Sequence, residues 1–332
     1  MATTIEVNKS SVRELLLTGT KEKILIPEYQ RSYAWTEDQV ITLFDDLVEY
    51  TNNQNESSYF FGCFVSFINE NKELVIIDGQ QRITTLFLLL RAIHKKLLKM
   101  SDSKERDNFI RQIEPAIWII NELTGEADYS TVLIESKVLE SGYNQILENI
   151  LKTGETRKDY SDRYSINYNL IMKLLDDYAS NEPLNFYRFI HNILNKTIVF
   201  PIKADTQETA LTIFSTLNDR GLPLSDADIF KAKIYNKLDE KSKKTFIDKW
   251  KSISLRAEMA NESIQKLFYY YMFYLRATEN DKTTTTPGLR KYYSSNSFEK
   301  LFDDNLMNNL DNILEFWEVV NCREDKNDSW TR

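Results

Sequence analysis

Cysteine, histidine, proline and glycine are all scarce in this chain of 332 residues. Two cysteines, Cys63 and Cys322, cannot build a disulfide scaffold or a cysteine-based zinc site. Two histidines, His94 and His191, are too few for a histidine-rich metal site. Because only six prolines and eight glycines are present, we expect long helices and few tight turns.

Long apolar runs and a basic charge balance are also lacking. The most apolar stretch, residues 83–98, is interrupted by Arg91, Lys95 and Lys96, so no segment is predicted to span a membrane. The N-terminus has no signal-peptide pattern, and we predict a cytoplasmic protein. The formal net charge of −8 argues against a globally basic nucleic-acid-binding protein. Any contact with DNA would have to come from a local patch.

The common nucleotide-binding and hydrolase motifs GxxxxGK[ST], GxGxxG, HExxH and GxSxG are absent. The composition is that of an ordinary globular protein, with 42% apolar and 28% charged residues. The length predicts two domains, or one large domain with an insertion. Strand-like runs occur at residues 23–26, 59–68, 73–77 and 196–203, and most of the remaining chain has helical patterns. We therefore predict a mostly helical α+β protein.

The most informative segment is Asp78-Gly-Gln-Gln-Arg82, which joins a predicted strand directly to a buried helix. Gly79 allows a sharp turn and a close approach of a ligand. Free N–H groups at the start of the helix favour an anion, and Gln80 and Gln81 add neutral donors. Arg82 opposes the helix dipole by about 0.3–1 kcal/mol. A bound phosphate would reverse this cost, because arginine grips phosphate bidentately.

Two interpretations of this loop stay open. In the first, the loop is an anion site, and Thr84 and Thr85 add hydroxyl groups or coordinate a phosphate-bound cation. In the second, Asp78 caps the helix and Arg82 pairs with a nearby carboxylate. Strand–glycine–helix turns are common, so the motif alone does not decide between them.

A second candidate region is the short aromatic-rich segment of residues 26–35. It places Tyr29, Gln30 and Arg31 side by side before a helix that Thr36 opens. Aromatic rings beside an arginine suit stacking on a base and gripping a phosphate. The alternative is an aromatic lid over the core, with the arginine side chain reaching to solvent.

A third candidate region lies at residues 214–234, where the polar candidates are Asn218, Arg220 and Lys231. The lysine-rich run that follows is a candidate DNA-facing patch, although a charge run is usually a solvated face. The DNA-binding candidates in this run are Lys241, Lys243 and Lys244.

Three segments together resemble a known family. They are residues 26–35 (IPEYQRSYAW), 75–86 (VIIDGQQRITTL) and 214–234 (FSTLNDRGLPLSDADIFKAKI). In order and spacing, the chain is similar to the N-terminal domain of GmrSD-type restriction endonucleases, whose fold is related to ParB and sulfiredoxin. The resemblance covers most of the chain, and the DGQQR loop with IPxYQR upstream is its specific part.

The resemblance implies a domain organisation. A small ParB/sulfiredoxin-like mixed α/β core would be discontinuous, formed by residues 1–105 and 196–238. A helical insertion would occupy residues 106–195, and a C-terminal helical region would occupy residues 239–332. No function is predicted for the insertion.

The resemblance also implies a function, namely binding and hydrolysis of a nucleoside triphosphate with Mg²⁺ in a bacterial phage-defence system that restricts modified DNA. In ParB-like proteins, nucleotide lies between a loop like the second segment and a motif like the third. The catalytic candidates carried over are Asp78, Gln81 and Arg82, with Asp78 also the metal candidate because of its charge. The nucleotide-binding candidates are Tyr29, Gln30, Arg31, Gly79, Gln80, Thr84, Thr85, Asn218, Arg220 and Lys231.

The chain departs from the family in one respect. Full-length members often continue into a nuclease domain with histidine-dependent chemistry, whereas no histidine follows His191 here. We therefore expect no DNA cleavage by this chain alone. A sulfiredoxin-like activity is disfavoured because the loop contains no cysteine. Two alternatives to an NTPase stay open, a nucleotide-switched module that docks a partner nuclease without hydrolysis and a DNA-binding adaptor. The sequence makes no prediction of oligomeric state.

Overall fold

A computed structural model of the chain describes residues 5–18, 22–53, 58–138, 143–218 and 226–322. Within these ranges the protein is mostly helical and contains a mixed sheet, which confirms the predicted α+β class. Residues 1–217 and residues 218–332 form two compact units. The boundaries predicted near residues 105, 195 and 238 stay predictions.

The first unit contains the sheet and the helices around it. Its strands are β1 (Ile5–Val7), β2 (Ser10–Ser11), β3 (Ile24–Ile26), β4 (Tyr59–Ile68), β5 (Leu74–Asp78), β6 (Trp118–Ile120), β7 (Ala127–Val132), β8 (Ile134–Ser136) and β9 (Thr197–Ala204). Its helices are α1 (Val12–Thr18), α2 (Glu37–Asn52), α3 (Gln80–Lys99), α4 (Lys104–Ile117), α5 (Tyr143–Thr153), α6 (Arg163–Asn181), α7 (Phe186–Asn195) and α8 (Gln207–Asn218).

The order of strands in the main sheet explains how distant segments meet. The order is β1-β9-β4-β5-β3-β8, and β2 also pairs with β9. β4 and β5, which correspond to the strand-like runs at residues 59–68 and 73–77, form an antiparallel hairpin. β3 runs parallel to both β5 and β8, so the carboxyl ends of these three strands lie at one edge. Asp78 ends β5 and residues 27–31 follow β3, and this edge is where ligands bind in open parallel sheets.

The central helix α3 is buried because other helices surround it. It contacts α4, α5 and α6. Phe87, Leu88 and Leu90 are each 0% exposed, which accounts for a sequence that is apolar nearly all round. No helix in the described part of the chain has the length and hydropathy needed to cross a membrane.

A polar cluster surrounds the buried His94 in the C-terminal half of α3. His94 is 1% exposed, and its Nε2 lies 3.3 Å from Glu114 Oε1. The Tyr129 hydroxyl donates a 2.6 Å hydrogen bond to the same oxygen. Arg91 Nη1 lies 3.4 Å from His94 Nδ1, which therefore accepts while Nε2 donates. Burial lowers the pKa of His94, because the charged imidazolium would lose its hydration.

We expect this cluster to make the fold sensitive to mild acid. Unfolded histidine has a pKa of 6.5, whereas folded His94 binds its proton less readily. The free energy of unfolding should therefore fall as the pH drops below 6.5, by about 1.4 kcal/mol per pH unit until the folded pKa is reached. Urea denaturation between pH 7 and pH 5 measures this slope. His94→Gln should flatten it, and His191→Gln, at an exposed position, should leave it unchanged. An unaltered slope in His94→Gln would contradict the assignment.

The second unit is helical in its described residues. Its helices are α9 (Asp226–Lys237), α10 (Glu240–Met259), α11 (Ile264–Thr278), α12 (Leu289–Ser294) and α13 (Leu306–Cys322), with a 3₁₀-helix at Ser295–Phe302. The aromatic-rich helix α11 contributes to the core of this unit, since Phe268 and Met272 are each 0% exposed. The Phe268 ring packs on Phe230 and Tyr293, at centroid distances of 5.1 and 5.6 Å.

Candidate functional site

Gly79 forms the turn between β5 and α3. Its φ of +88° is in the left-handed region, and it is the N-cap residue of α3. Asp78 therefore does not occupy the N-cap position that the second interpretation of the loop assigned to it. A Cβ atom at Gly79 would lie 2.5 Å from Phe64 Cδ1 and 3.2 Å from the Cys63 carbonyl oxygen. Only glycine fits this turn without strain, because both the backbone angle and the space require it.

Arg82 extends from the first turn of α3 across the start of β4. Its Nη2 donates a 2.9 Å hydrogen bond to the Cys63 carbonyl, and its guanidinium carbon lies 5.4 Å from the centre of the Phe64 ring. Asp78 Oδ2 lies 3.6 Å from Arg82 Nη2, so the ion pair expected in the second interpretation is present. The side chains of Arg82 and Asp78 are each 28% exposed, and the pair is therefore still accessible to a ligand.

Sequence reasoning missed Gly62, which makes room for Arg82. Gly62 has a φ of +129°, at a point where the pairing of β4 with β9 shifts by one residue. A Cβ atom here would lie 1.7 Å from Arg82 Nη1. The available signal was an isolated glycine inside an aromatic strand, which indicates a bulge or a close approach of another group.

Burial and the neighbouring positive charges have opposite effects on the pKa of Asp78. Burial raises its pKa above the ordinary value of 3.8, because the charged form loses hydration. The charges of Arg82 and Arg31 and the N–H group of Gly79 act in the opposite direction but do not cancel this effect. Asp78 is therefore a better proton acceptor than a fully exposed aspartate.

The two glutamines of the loop hold the segment that follows β3. Gln80 Nε2 donates to the Arg31 carbonyl at 3.0 Å, and Gln81 Nε2 donates to the Ser32 carbonyl at 3.0 Å. Gln81 Oε1 accepts from the Ala34 N–H at 2.7 Å. Both glutamine residues are 7% exposed. Their donors are thus directed at the carbonyl groups of residues 31 and 32. These bonds hold the backbone of Arg31, whose side chain is exposed, next to the loop.

Most other predicted ligand residues in the first unit are also buried. Gln30 Nε2 donates to the Ile77 carbonyl at 3.0 Å, and Tyr29 accepts a 2.7 Å hydrogen bond from Gln207 of α8. Thr84 is 2% exposed, and Thr85 Oγ1 donates to the Gln81 carbonyl at 2.9 Å. Direct ligand contact by these four predicted residues stays a prediction. Their observed contacts tie β3, β5, α3 and α8 together around the exposed charges.

The remaining candidates belong to the second unit. The side chain of Asn218 and all of Arg220 fall outside the described residues. Lys231 belongs to α9 of the second unit, where it is half-buried. In α10, Lys241 and Lys244 are exposed and Lys243 Nζ lies 5.0 Å from the centre of the Tyr235 ring. DNA binding by these lysines stays a prediction.

The residues around Asp78 suit only one mode of metal binding. Nowhere in the described ranges do three or more histidine, cysteine or acidic residues form a group that could hold a metal ion. Mg²⁺ is commonly bound by one or two carboxylates together with phosphate oxygens. Asp78, a single accessible carboxylate beside a helix N-terminus, fits that mode and does not fit an all-protein site.

Comparison with known protein families adds an independent finding. Residues 12–235 match the family model described as GmrSD restriction endonuclease, N-terminal domain. The match covers more than half of the chain and includes all three segments on which the sequence resemblance was based. It ends before α10 begins. A comparison with curated proteins finds no match.

Proposed function

The chain belongs to the family of GmrSD restriction endonuclease N-terminal domains, and from this premise we propose that it binds and hydrolyses a nucleoside triphosphate. Family membership implies a role in a restriction system, and the substrate of that system would be modified DNA. The observation that carries the nucleotide proposal is the left-handed Gly79 turn. It begins α3 at the carboxyl edge of β5, between the accessible side chains of Asp78 and Arg82.

Charge supports a multiply negative ligand at this edge. The positive end of the α3 dipole, the exposed Arg31 and the partly exposed Arg82 all favour an anion. Without a ligand, Arg82 opposes the helix dipole and relies on Asp78 and two β4 carbonyl groups for compensation. A phosphate group would supply that compensation directly, because guanidinium groups bind phosphate through parallel hydrogen bonds.

The roles of the loop residues divide into contact and support. Asp78 would hold Mg²⁺ together with phosphate oxygens, and the bound ion would neutralise charge on the phosphates. As the alternative to holding Mg²⁺, Asp78 would accept a proton from attacking water, a role that its raised pKa supports. Gln80 and Gln81 would act through the segment that they hold, because their donors bind its backbone.

We expect Asp78→Asn to abolish turnover without unfolding the protein. Loss of a general base typically lowers a rate by about 10²–10⁴-fold. The substitution also removes a carboxylate that burial disfavours, so the melting temperature at pH 7 should not decrease. The measurement is phosphate release with each NTP and Mg²⁺, with and without modified duplex DNA. Asp45→Asn, at an exposed position of α2, is the matched control. Turnover of Asp78→Asn at the wild-type rate would refute the catalytic assignment.

A nucleotide-switched module without hydrolysis is the second candidate. Both loop glutamines donate to backbone carbonyl groups and are therefore not free to orient a water molecule. Of the loop side chains, this leaves Asp78 to activate water, and a site with a single activating group favours binding without hydrolysis. Tight binding of nucleotide in calorimetry with no phosphate release would favour this candidate. In that case, nucleotide would control docking of a partner nuclease.

A further inference from the structure

Asn167 is a fully buried polar residue in α6, a helix to which the sequence assigns no function. Its side chain is 0% exposed. Nδ2 donates a 3.0 Å hydrogen bond to the Tyr33 hydroxyl and a 2.9 Å hydrogen bond to the Trp35 carbonyl. One turn earlier in α6, Tyr164 stacks on the Tyr33 ring at a centroid distance of 5.0 Å. One face of α6 thus holds the segment that carries Arg31.

The hydrogen bonds form a chain with one direction. Asn167 donates to Tyr33, and Thr85 Oγ1 donates to the Gln81 carbonyl. The 2.8 Å contact between the Tyr33 and Thr85 hydroxyls must therefore be donated by Tyr33, because the Thr85 proton is already used. Burial raises the pKa of Tyr33 to about 12, so this proton is retained at neutral pH. The chain runs from α6 to the first turn of α3, and such chains strengthen cooperatively.

The carboxamide of Asn167 stabilises this buried position less than an apolar side chain would. Its Oδ1 is buried and has no hydrogen-bond partner in the described part of the chain. A buried polar atom without a partner lowers stability, because it loses its hydration without compensation. An apolar side chain of similar size would avoid that cost. What only the carboxamide supplies is a pair of donors directed at residues 33 and 35.

We propose that Asn167 is a positioning residue that fixes residues 31–35, and with them Arg31, against the first turn of α3. The proposal deepens the proposed function and rests on it for its effect on nucleotide. Placement of the segment is a separate consequence, because it follows from the contacts of Asn167 alone. Through Asn167, helix α6 would determine where Arg31 lies relative to the first turn of α3.

The first test measures placement without nucleotide. Trypsin cleaves after Arg31 only when residues 31–35 open locally, so the rate of cleavage at the Arg31–Ser32 bond reports their release. Loss of two hydrogen bonds in Asn167→Leu should raise that rate about tenfold. Asn169→Ala is the matched control, because Asn169 lies in α6 but bonds to Thr156 and the Ser165 carbonyl. A merely structural role would lower the melting temperature and speed cleavage at all sites equally.

The second test measures binding of inorganic tripolyphosphate by calorimetry and NTP turnover by phosphate release. Asn167→Leu should weaken tripolyphosphate binding and raise KM about tenfold with little change in kcat, since Arg31 would contribute to binding. Faster cleavage after Arg31 in a protein that binds no triphosphate would refute the proposed function and retain the positioning role.

Unchanged cleavage after Arg31 in folded Asn167→Leu would refute the positioning role. If that variant does not fold, Asn167→Ala decides, because it removes both donors without introducing a branched side chain. Faster cleavage after Arg31 in Asn167→Ala supports the proposal, and a wild-type rate overturns it.

Discussion

Replacing Gly79 by alanine should lower the free energy of unfolding by about 2–5 kcal/mol. About 1–2 kcal/mol of this comes from holding a residue with a Cβ atom in the left-handed region, since Gly79 has a φ of +88°. The rest, about 1–3 kcal/mol, comes from overpacking, because the new methyl group would lie 2.5 Å from Phe64 Cδ1. The Phe64 ring is 1% exposed, so it has little freedom to move away. Urea denaturation measures the loss.

Gly125→Ala is the control that separates these two contributions. Gly125 has a φ of +72°, and no heavy atom lies within 4 Å of the Cβ position. Its substitution should therefore show the backbone cost alone. The difference between the two variants gives the packing cost at Gly79. Equal losses in both variants would mean that contact with Phe64 does not restrict the loop.

Replacing Arg82 by methionine should weaken binding of inorganic tripolyphosphate by about 10- to 150-fold. This range corresponds to about 1.5–3 kcal/mol, the usual contribution of a hydrogen bond to a charged group. Arg82→Lys keeps the charge but cannot form two parallel hydrogen bonds, so its affinity should be intermediate. Isothermal titration calorimetry of the three proteins at low ionic strength measures the series.

Salt separates the role of Arg82 in binding from its role in the fold. Arg82 also donates to the Cys63 carbonyl, so Arg82→Met should be somewhat less stable than the wild type. Affinity must therefore be compared at a temperature where all variants are folded. Raising ionic strength should reduce the difference between Arg82→Lys and Arg82→Met, because salt screens charge at this partly exposed position. Equal tripolyphosphate affinity of wild type and Arg82→Met would remove Arg82 from the site.

Local features of the fold were predictable because they depend on residues close in sequence. The helix start at Thr36 is an example, since the Thr36 N–H donates to Gln39 Oε1 at 2.7 Å. The hairpin of β4 and β5 follows from two apolar runs separated by a short polar turn. The strand–glycine–helix turn at Gly79 follows in the same way, although Gly79 and not Asp78 is the N-cap residue.

The uses of individual polar side chains in the site were not predictable. Gln80 and Gln81 read as donors for a phosphate, yet they bind carbonyl groups of Arg31 and Ser32. A bound anion and the carbonyl groups of a distant backbone segment can both accept hydrogen bonds from these side-chain donors. Only the pairing of β3 with β5 brings that backbone close enough to compete.

The fold class, the family and the loop between β5 and α3 could all be inferred from the amino-acid sequence. These rest on periodicity, turn residues and motif spacing, which act over a few residues. The tertiary structure alone decided which side chains of that loop stay accessible, that Gly62 admits Arg82, and that Asn167 of α6 reaches Tyr33. These contacts join residues far apart in the chain. A single sequence does not encode such pairs in any local pattern, because the packing of the whole first unit selects them.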